Sequence, residues 1–207
     1  MSDFYTSNWI SVADAVFQGE IAVIPCDTIY GVVASVYKPE SVERLYAIRS
    51  RNIFKPCIIL LPSIEFIREF ISSETFEKYS FLFGSVWPGP VSVSIPVRPE
   101  SWKYLHRGKN SLAFRVPKNK ELRDFLNRSG PILAPSANKE GGEPARTIRE
   151  ARVIFGQEVS LYLDGGSLMG IPSTLLSLDE KGILIVREGE KNKDDIIRLT
   201  QNKYTVF

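Results

Sequence analysis

Apolar residues recur at two spacings along the chain, and the alternation between the two outlines the fold. Trp9, Val12, Ala13, Val16 and Phe17 fall at helical spacing after Ser7 and Asn8, and Gly19 supplies a stop, which predicts an amphipathic helix over 8–18. A continuous apolar run at 21–24 predicts a buried strand that ends at Pro25. Beyond it Asp27, Thr28 and Tyr30 precede Gly31 and a second apolar run, Val32-Val33-Ala34, so polar groups gather where a hydrophobic strand is interrupted.

Pro39 suits the first turn of a helix whose apolar face is Val42, Leu45, Tyr46 and Ile48, closing in Arg49-Ser50-Arg51. Residues 57–61 are too few and too uniformly apolar for anything but a core strand, and one or two helices follow over 63–83. Val91, Val93, Ile95 and Val97 alternate with Ser92, Ser94 and Pro96, which predicts a strand with one polar face and an edge or end at the proline. Leu112, Phe114 and Val116 repeat that alternation. Leu122, Phe125 and Leu126 mark a helix, 131–134 a short strand, and Thr147 with Glu150 fits a capping box for a helix over 148–155. Strands at 159–163, 173–178 and 183–187 and a helix near 194–201 complete an α/β pattern. Some strands are joined by hairpin-length connections, so the sheet is expected to be mixed.

Length and composition narrow this to one domain spanning 1–207, since 207 residues at 43% hydrophobic suffice for a single substantial core. A net charge of +2, from 26 Lys and Arg against 24 Asp and Glu, makes no strong overall field, so any basic site must be local. Cys26 and Cys57 lie in or beside apolar runs and read as small buried residues of a reducing compartment. With no signal-peptide pattern and no membrane-length apolar window, a cytoplasmic location is expected, and the sequon Asn127-Arg128-Ser129 is taken as chance.

Familiar catalytic patterns are missing. The single histidine, His106, lies in the polar stretch 98–110 and reads as a surface residue; with one histidine and two cysteines, a His/Cys metal cage is nearly excluded. Neither G-x-x-x-x-G-K-[ST], G-x-G-x-x-G nor G-x-S-x-G occurs. The polar clusters that remain all fall at expected strand ends: Asp27-Thr28, Arg49 with Arg51 and Lys55, Ser111 and Arg115, Ser136 and Asn138, Ser173-Thr174, and Arg187. In an open α/β sheet ligands bind in the crevice at strand ends, so these segments point to one site assembled from distant parts of the chain. Each cluster alone has a plainer explanation: a solvated helix end for the Arg49–Lys55 stretch, a turn or cap for Ser136 and Asn138.

Taken in order, PCDTIYG, R-x-R with a lysine four residues on, WPGPVSV, AFRVP, APSAN, DGG, PST and REG resemble the motifs of the YrdC family, the threonylcarbamoyl-AMP synthases, over roughly 8–190. The chain ends soon after REG and so resembles the short, single-domain branch. The resemblance implies a twisted open mixed sheet with helices on its faces and a concave basic substrate cleft. It implies condensation of L-threonine, bicarbonate or CO2, and ATP to threonylcarbamoyl-AMP and pyrophosphate, the product serving adenosine 37 of tRNA through a threonylcarbamoyl-transferase machinery.

By the same resemblance Thr28, Arg115 and Ser173 contact threonine, and Arg51, Lys55, Ser111, Ser136, Asn138 and Arg187 hold ATP. Arg49 joins Arg51 and Lys55 as a catalytic cation where the family usually has lysine. Mg²⁺ would arrive on the ATP phosphates, with no protein metal cage. Asn52 and Glu188 stand where the family usually has proline, and Cys26 where threonine is common. The alternatives are a double-stranded RNA or tRNA-binding module of this fold and a carbamoyl-handling paralogue. Near-neutral charge, and basic clusters without interleaved aromatic residues, weigh against the first; weak tRNA binding remains compatible with the enzyme.

Overall fold

In the computed structural model, which describes residues 5–98, 100–179 and 181–207, a short strand β1 (Tyr5–Thr6) leads into the expected helix α1 (Trp9–Gln18). Asn8 caps α1 by accepting from the amides of Ile10 and Ser11, and Gly19 ends it at φ 108°, a backbone that glycine adopts without steric cost. Next comes an antiparallel hairpin of β2 (Ala22–Cys26) and β3 (Ile29–Ser35). The strand therefore does not stop at Pro25. It runs through the proline to Cys26, and the polar interruption is a two-residue turn, Asp27-Thr28. In such a hairpin the residues flanking the turn exchange hydrogen bonds, so the next pair, Pro25 with Tyr30, is one in which the missing N–H costs nothing.

Helix α2 (Pro39–Ile48) carries proline in its first turn as expected and ends at Arg49. Then follow β4 (Ile58–Leu60), a 3₁₀ turn (Ile64–Glu69), α3 (Ser73–Val86), β5 (Val91–Pro96), a short α4 (Lys103–His106) and β6 (Ser111–Arg115). Helix α5 (Lys120–Ser129), β7 (Ile132–Leu133), α6 (Ile148–Phe155), β8 (Leu161–Leu163), β9 (Thr174–Asp179), β10 (Gly182–Arg187) and α7 (Lys193–Leu199) complete the chain.

Among the described residues the strands form one ten-stranded mixed sheet in the order β1-β8-β2-β3-β7-β4-β6-β5-β9-β10. Strand β5 lies inside it between β6 and β9, so Pro96 marks a strand end and not an edge, and Ser92 on its polar face is fully buried. Helices cover both faces. On one, Val12, Ala13 and Val16 of α1 and Leu122, Phe125 and Leu126 of α5 pack on Ala22, Ile24, Val33 and Leu60, with Trp9 edge-on to Phe125 at 5.9 Å. On the other, a larger cluster takes Val42 and Leu45 from α2, Phe76 and Phe83 from α3, and Ile148 and Phe155 from α6. Each Val, Leu, Ile or Phe among them contributes about 1.5–3 kcal/mol on burial, so the two layers hold the sheet in place.

His106 differs from expectation. It is 2% exposed, and its Nδ1 accepts from the amides of Gly108 and Asn110 at 3.1 and 3.4 Å, so it shapes the turn before β6. Both cysteines are free and buried, as their apolar surroundings predict.

Candidate functional site

Alternation along β6 decides what faces the site. Leu112 and Phe114 enter the core, while Ala113 and Arg115 point to the opposite side, where they line a cavity of about 340 Å³. That volume lies within the range of small-molecule pockets, roughly 300–1,000 Å³. Its wall is assembled at strand ends: Thr28 from the β2–β3 turn, Arg115 from β6, Ser136 beyond β7, Ser173 before β9, Arg187 at the end of β10, and Arg51 beyond α2. Among the described residues the lining thus contains three arginines and no carboxylate.

The turn that presents Thr28 is held from both sides. Asp27 has φ 68°, which places the Thr28 amide 2.9 Å from the Cys26 carbonyl oxygen. Its carboxylate accepts from the amides of Lys118 and Asn119, each at 2.9 Å, and Asn119 caps α5. Asp27 therefore ties the turn to the start of α5. From the other side Gly170 presses so close that a Cβ there would lie 2.3 Å from the Thr28 carbonyl oxygen. Tyr30 fixes the same segment, donating to the Gly166 carbonyl at 2.7 Å and accepting from the Gly165 amide at 2.9 Å. The DGG stretch acts by lending its backbone to this clip.

Arg115 is 4% exposed, and its NH2 donates to the Cys26 carbonyl at 2.8 Å. Its Nε has no partner. Burial pulls the guanidinium pKa down, against the opposing pull of nearby Cys26, Asp27 and Glu190. A buried cation with an unused donor gains most from an anionic ligand. Arg187 donates to the Ser173 carbonyl at 2.8 Å, and the Ser173 hydroxyl lies 3.0 Å from that of Ser92. Strand β10 thereby fixes the segment carrying Ser173.

Arg49 stands behind the wall. It is 2% exposed; Nε donates to the Asn138 carbonyl at 3.0 Å, and NH2 to Asn138 Oδ1 at 3.2 Å and Ser136 Oγ at 3.5 Å. Its NH1 has no partner, and burial lowers its pKa as well. Asn138 Nδ2 in turn donates to the carbonyls of Lys139 and Gly142 at 2.6 and 2.9 Å. The guanidinium fork thus organises the loop after β7, a task that a lysine's single ammonium would perform less completely. Arg51 spends Nε and NH2 on the carbonyls of Lys55 and Pro56, both at 3.1 Å.

Of the sequence-derived candidates, Thr28, Arg51, Arg115, Ser136, Ser173 and Arg187 line the cavity, whereas Arg49 and Asn138 brace it. Lys55 lies outside the lining with its side chain 61% exposed, paired to Glu140 at 2.9 Å. Ser111 shares the face of Ala113 and Arg115 at the far end of β6 and does not reach the lining. Sequence reasoning missed Tyr30, Pro135, Pro144 and Pro172, which also line it. Tyr30 had a signal, a polar-tipped aromatic inside an otherwise apolar strand; the prolines had none. Among the described residues no group of three or more His, Cys, Asp or Glu is arranged to hold a metal ion, and no helix is long and apolar enough to cross a membrane.

Comparison with known proteins bears on the family and the fold. The family model Sua5_yciO_yrdC, described as "Telomere recombination", matches residues 14–189. A threonylcarbamoyl-AMP synthase of Yersinia enterocolitica is 32% identical over 162 residues, which cover 76% of this chain and 85% of the relative. The Pyrococcus abyssi threonylcarbamoyl-AMP synthase is 27% identical over 83% of this chain and 51% of its own length, so the chain spans about half of that relative. The crystal structure of Pyrococcus abyssi Sua5 complexed with L-threonine superposes with a TM-score of 0.87 at 23% identity, covering 96% of this chain and 58% of the other.

Proposed function

Since the chain belongs to the Sua5/YciO/YrdC family, we propose that it is an L-threonylcarbamoyladenylate synthase. It joins the threonine amine to bicarbonate or CO2 as a carbamate. A carbamate oxygen then attacks the α-phosphorus of ATP, and the bond to the bridging oxygen breaks to expel pyrophosphate. Both reactants are anions, so the protein's main tasks are to hold them in line and offset their charge.

The observation that carries this reading is Arg115, a buried cation with an unpartnered Nε in a cavity whose described lining has three arginines and no carboxylate. Thr28, Arg115 and Ser173 receive threonine, its carboxylate on the guanidinium. Arg51, Ser136 and Arg187 in the lining and Lys55 beside it serve ATP, Arg49 and Asn138 fix the loop of Ser136, and Ser111, which lies outside the lining, takes no part. Mg²⁺ enters bound to the triphosphate as part of the substrate. The product passes in the cytoplasm to a transferase acting on adenosine 37 of tRNA. Incubation of the purified chain with ATP, Mg²⁺ and bicarbonate, with and without threonine, should release pyrophosphate only when threonine is present. Release that ignores threonine, or none at all, would refute the assignment.

A further inference from the structure

Glu140 sits where an anionic ligand would sit. Its carboxylate accepts from the backbone N–H of Asn52 and pairs with Lys55 Nζ at 2.9 Å. Its own amide donates to the Arg49 carbonyl at 2.8 Å, and the preceding Lys139 reaches the Ile48 carbonyl. The 139–142 loop is therefore fastened to the end of α2 by two kinds of clip. The backbone and Lys139 contacts belong to its folded path. The carboxylate clip engages a backbone amide and an ammonium, the donor pair that phosphate oxygens use.

The seat adjoins the cavity, because Asn52 and Lys55 lie between Arg51 and Pro56, both of which line it. It is also open: the side chains of Lys55 and Glu140 are 61% and 28% exposed. The Asn52 amide, then Lys55, hold the Glu140 carboxyl below the usual carboxylate range, so it is charged at neutral pH. An exposed ion pair is weak, and a polyphosphate bearing several charges outcompetes a single carboxylate for the same donors.

We propose that Glu140 is an internal stand-in for phosphate: it occupies the seat made by the Asn52 N–H and Lys55, and a nucleoside triphosphate binds by displacing it. Glu140 then sets the affinity for the nucleotide without touching the reacting atoms, and Lys55 is held off the cavity until the triphosphate arrives. The identity of the ligand rests on the synthase reading above, but the exchange itself is measurable without turnover.

Isothermal titration of Mg·ATP and of inorganic triphosphate, with threonine and bicarbonate left out, tests it on the wild-type chain, Glu140→Gln and Glu140→Ala. Both variants should bind both probes about two- to five-fold more tightly, the size expected for loss of one exposed competing charge pair. The gain should vanish when Lys55→Ala is combined with Glu140→Gln, and the thermal midpoints should stay close to wild type. If Glu140 only braces the loop, the variants bind unchanged or more weakly, and the proposal falls; it falls equally if none of the chains binds triphosphate. Failure of the synthase reading shows itself separately, as pyrophosphate release without threonine dependence.

Discussion

Arg115 ends β6 at 4% exposure with its NH2 committed to the Cys26 carbonyl, whereas the Lys55 side chain beyond α2 is 61% exposed and shares its charge with Glu140. Both are cations assigned to anionic substrate. The first cannot relax: strand pairing sets its backbone, burial sets its rotamer, and its unused donor stays aligned at no further entropic cost. The second is exposed, and its ion pair with Glu140 is of the weak kind that another anion can replace. A wall of buried groups at strand ends provides geometry, and a loop of exposed groups beside it provides adjustable affinity.

The comparison breaks most visibly at Arg115→Ala. Loss of a preorganised donor should lower threonine-dependent pyrophosphate release by roughly 10²–10³-fold while circular dichroism stays near wild type. Activity close to wild type would mean that the rigid wall does not carry the chemistry. Gly170→Ala comes next. A Cβ placed 2.3 Å from the Thr28 carbonyl oxygen meets backbone and forces the turn to shift. The threonine half-saturation constant should rise about tenfold, in line with an overpacking cost of about 1–3 kcal/mol, with the ATP constant much less affected. Equal changes in both would show that the turn does not separate the two substrates.

Arg49→Lys sharpens the distinction between bracing and contacting. The guanidinium engages both the Asn138 carbonyl and its Oδ1, and an ammonium cannot span them, so stability should drop by about 1–3 kcal/mol in urea denaturation, with reduced activity. A gain in activity would place position 49 among the adjustable groups. The smallest effect concerns Cys26 beneath Arg115. Burial pushes its thiol up from 9.0 to about 12, so the folded form keeps it neutral while the unfolded chain ionises above about 9. Cys26 should therefore resist alkylation at pH 8, and its contribution to stability should be lost as pH rises from about 9 towards 12. Fast labelling of the native chain at pH 8 would show that this part of the wall opens.

Periodicity made α1, α2, α6 and the central strands legible, since apolar spacing reports local burial directly. It misjudged Pro25 because a run of four apolar residues followed by proline reads as an ending, while the hairpin register that accommodates the proline is a pairing between strands. His106 was misplaced for a related reason. Its neighbours are polar, but Leu105 and the turn before β6 bring it inside, and sequence neighbours do not record tertiary cover.

The site divides along the same line. By itself the sequence determined which residue types gather at strand ends, the lack of a phosphate-binding glycine loop, and the ordered motifs that place the chain in its family, because these depend on local pattern and composition. Only the tertiary structure decided that Thr28, Arg51, Arg115, Ser136, Ser173 and Arg187 share one cavity, that Arg49 and Asn138 brace it from behind, and that Lys55 is held by Glu140. Those relations join residues far apart in the chain, and packing across the sheet, together with the burial that leaves the Arg115 Nε without a partner, brings them into being.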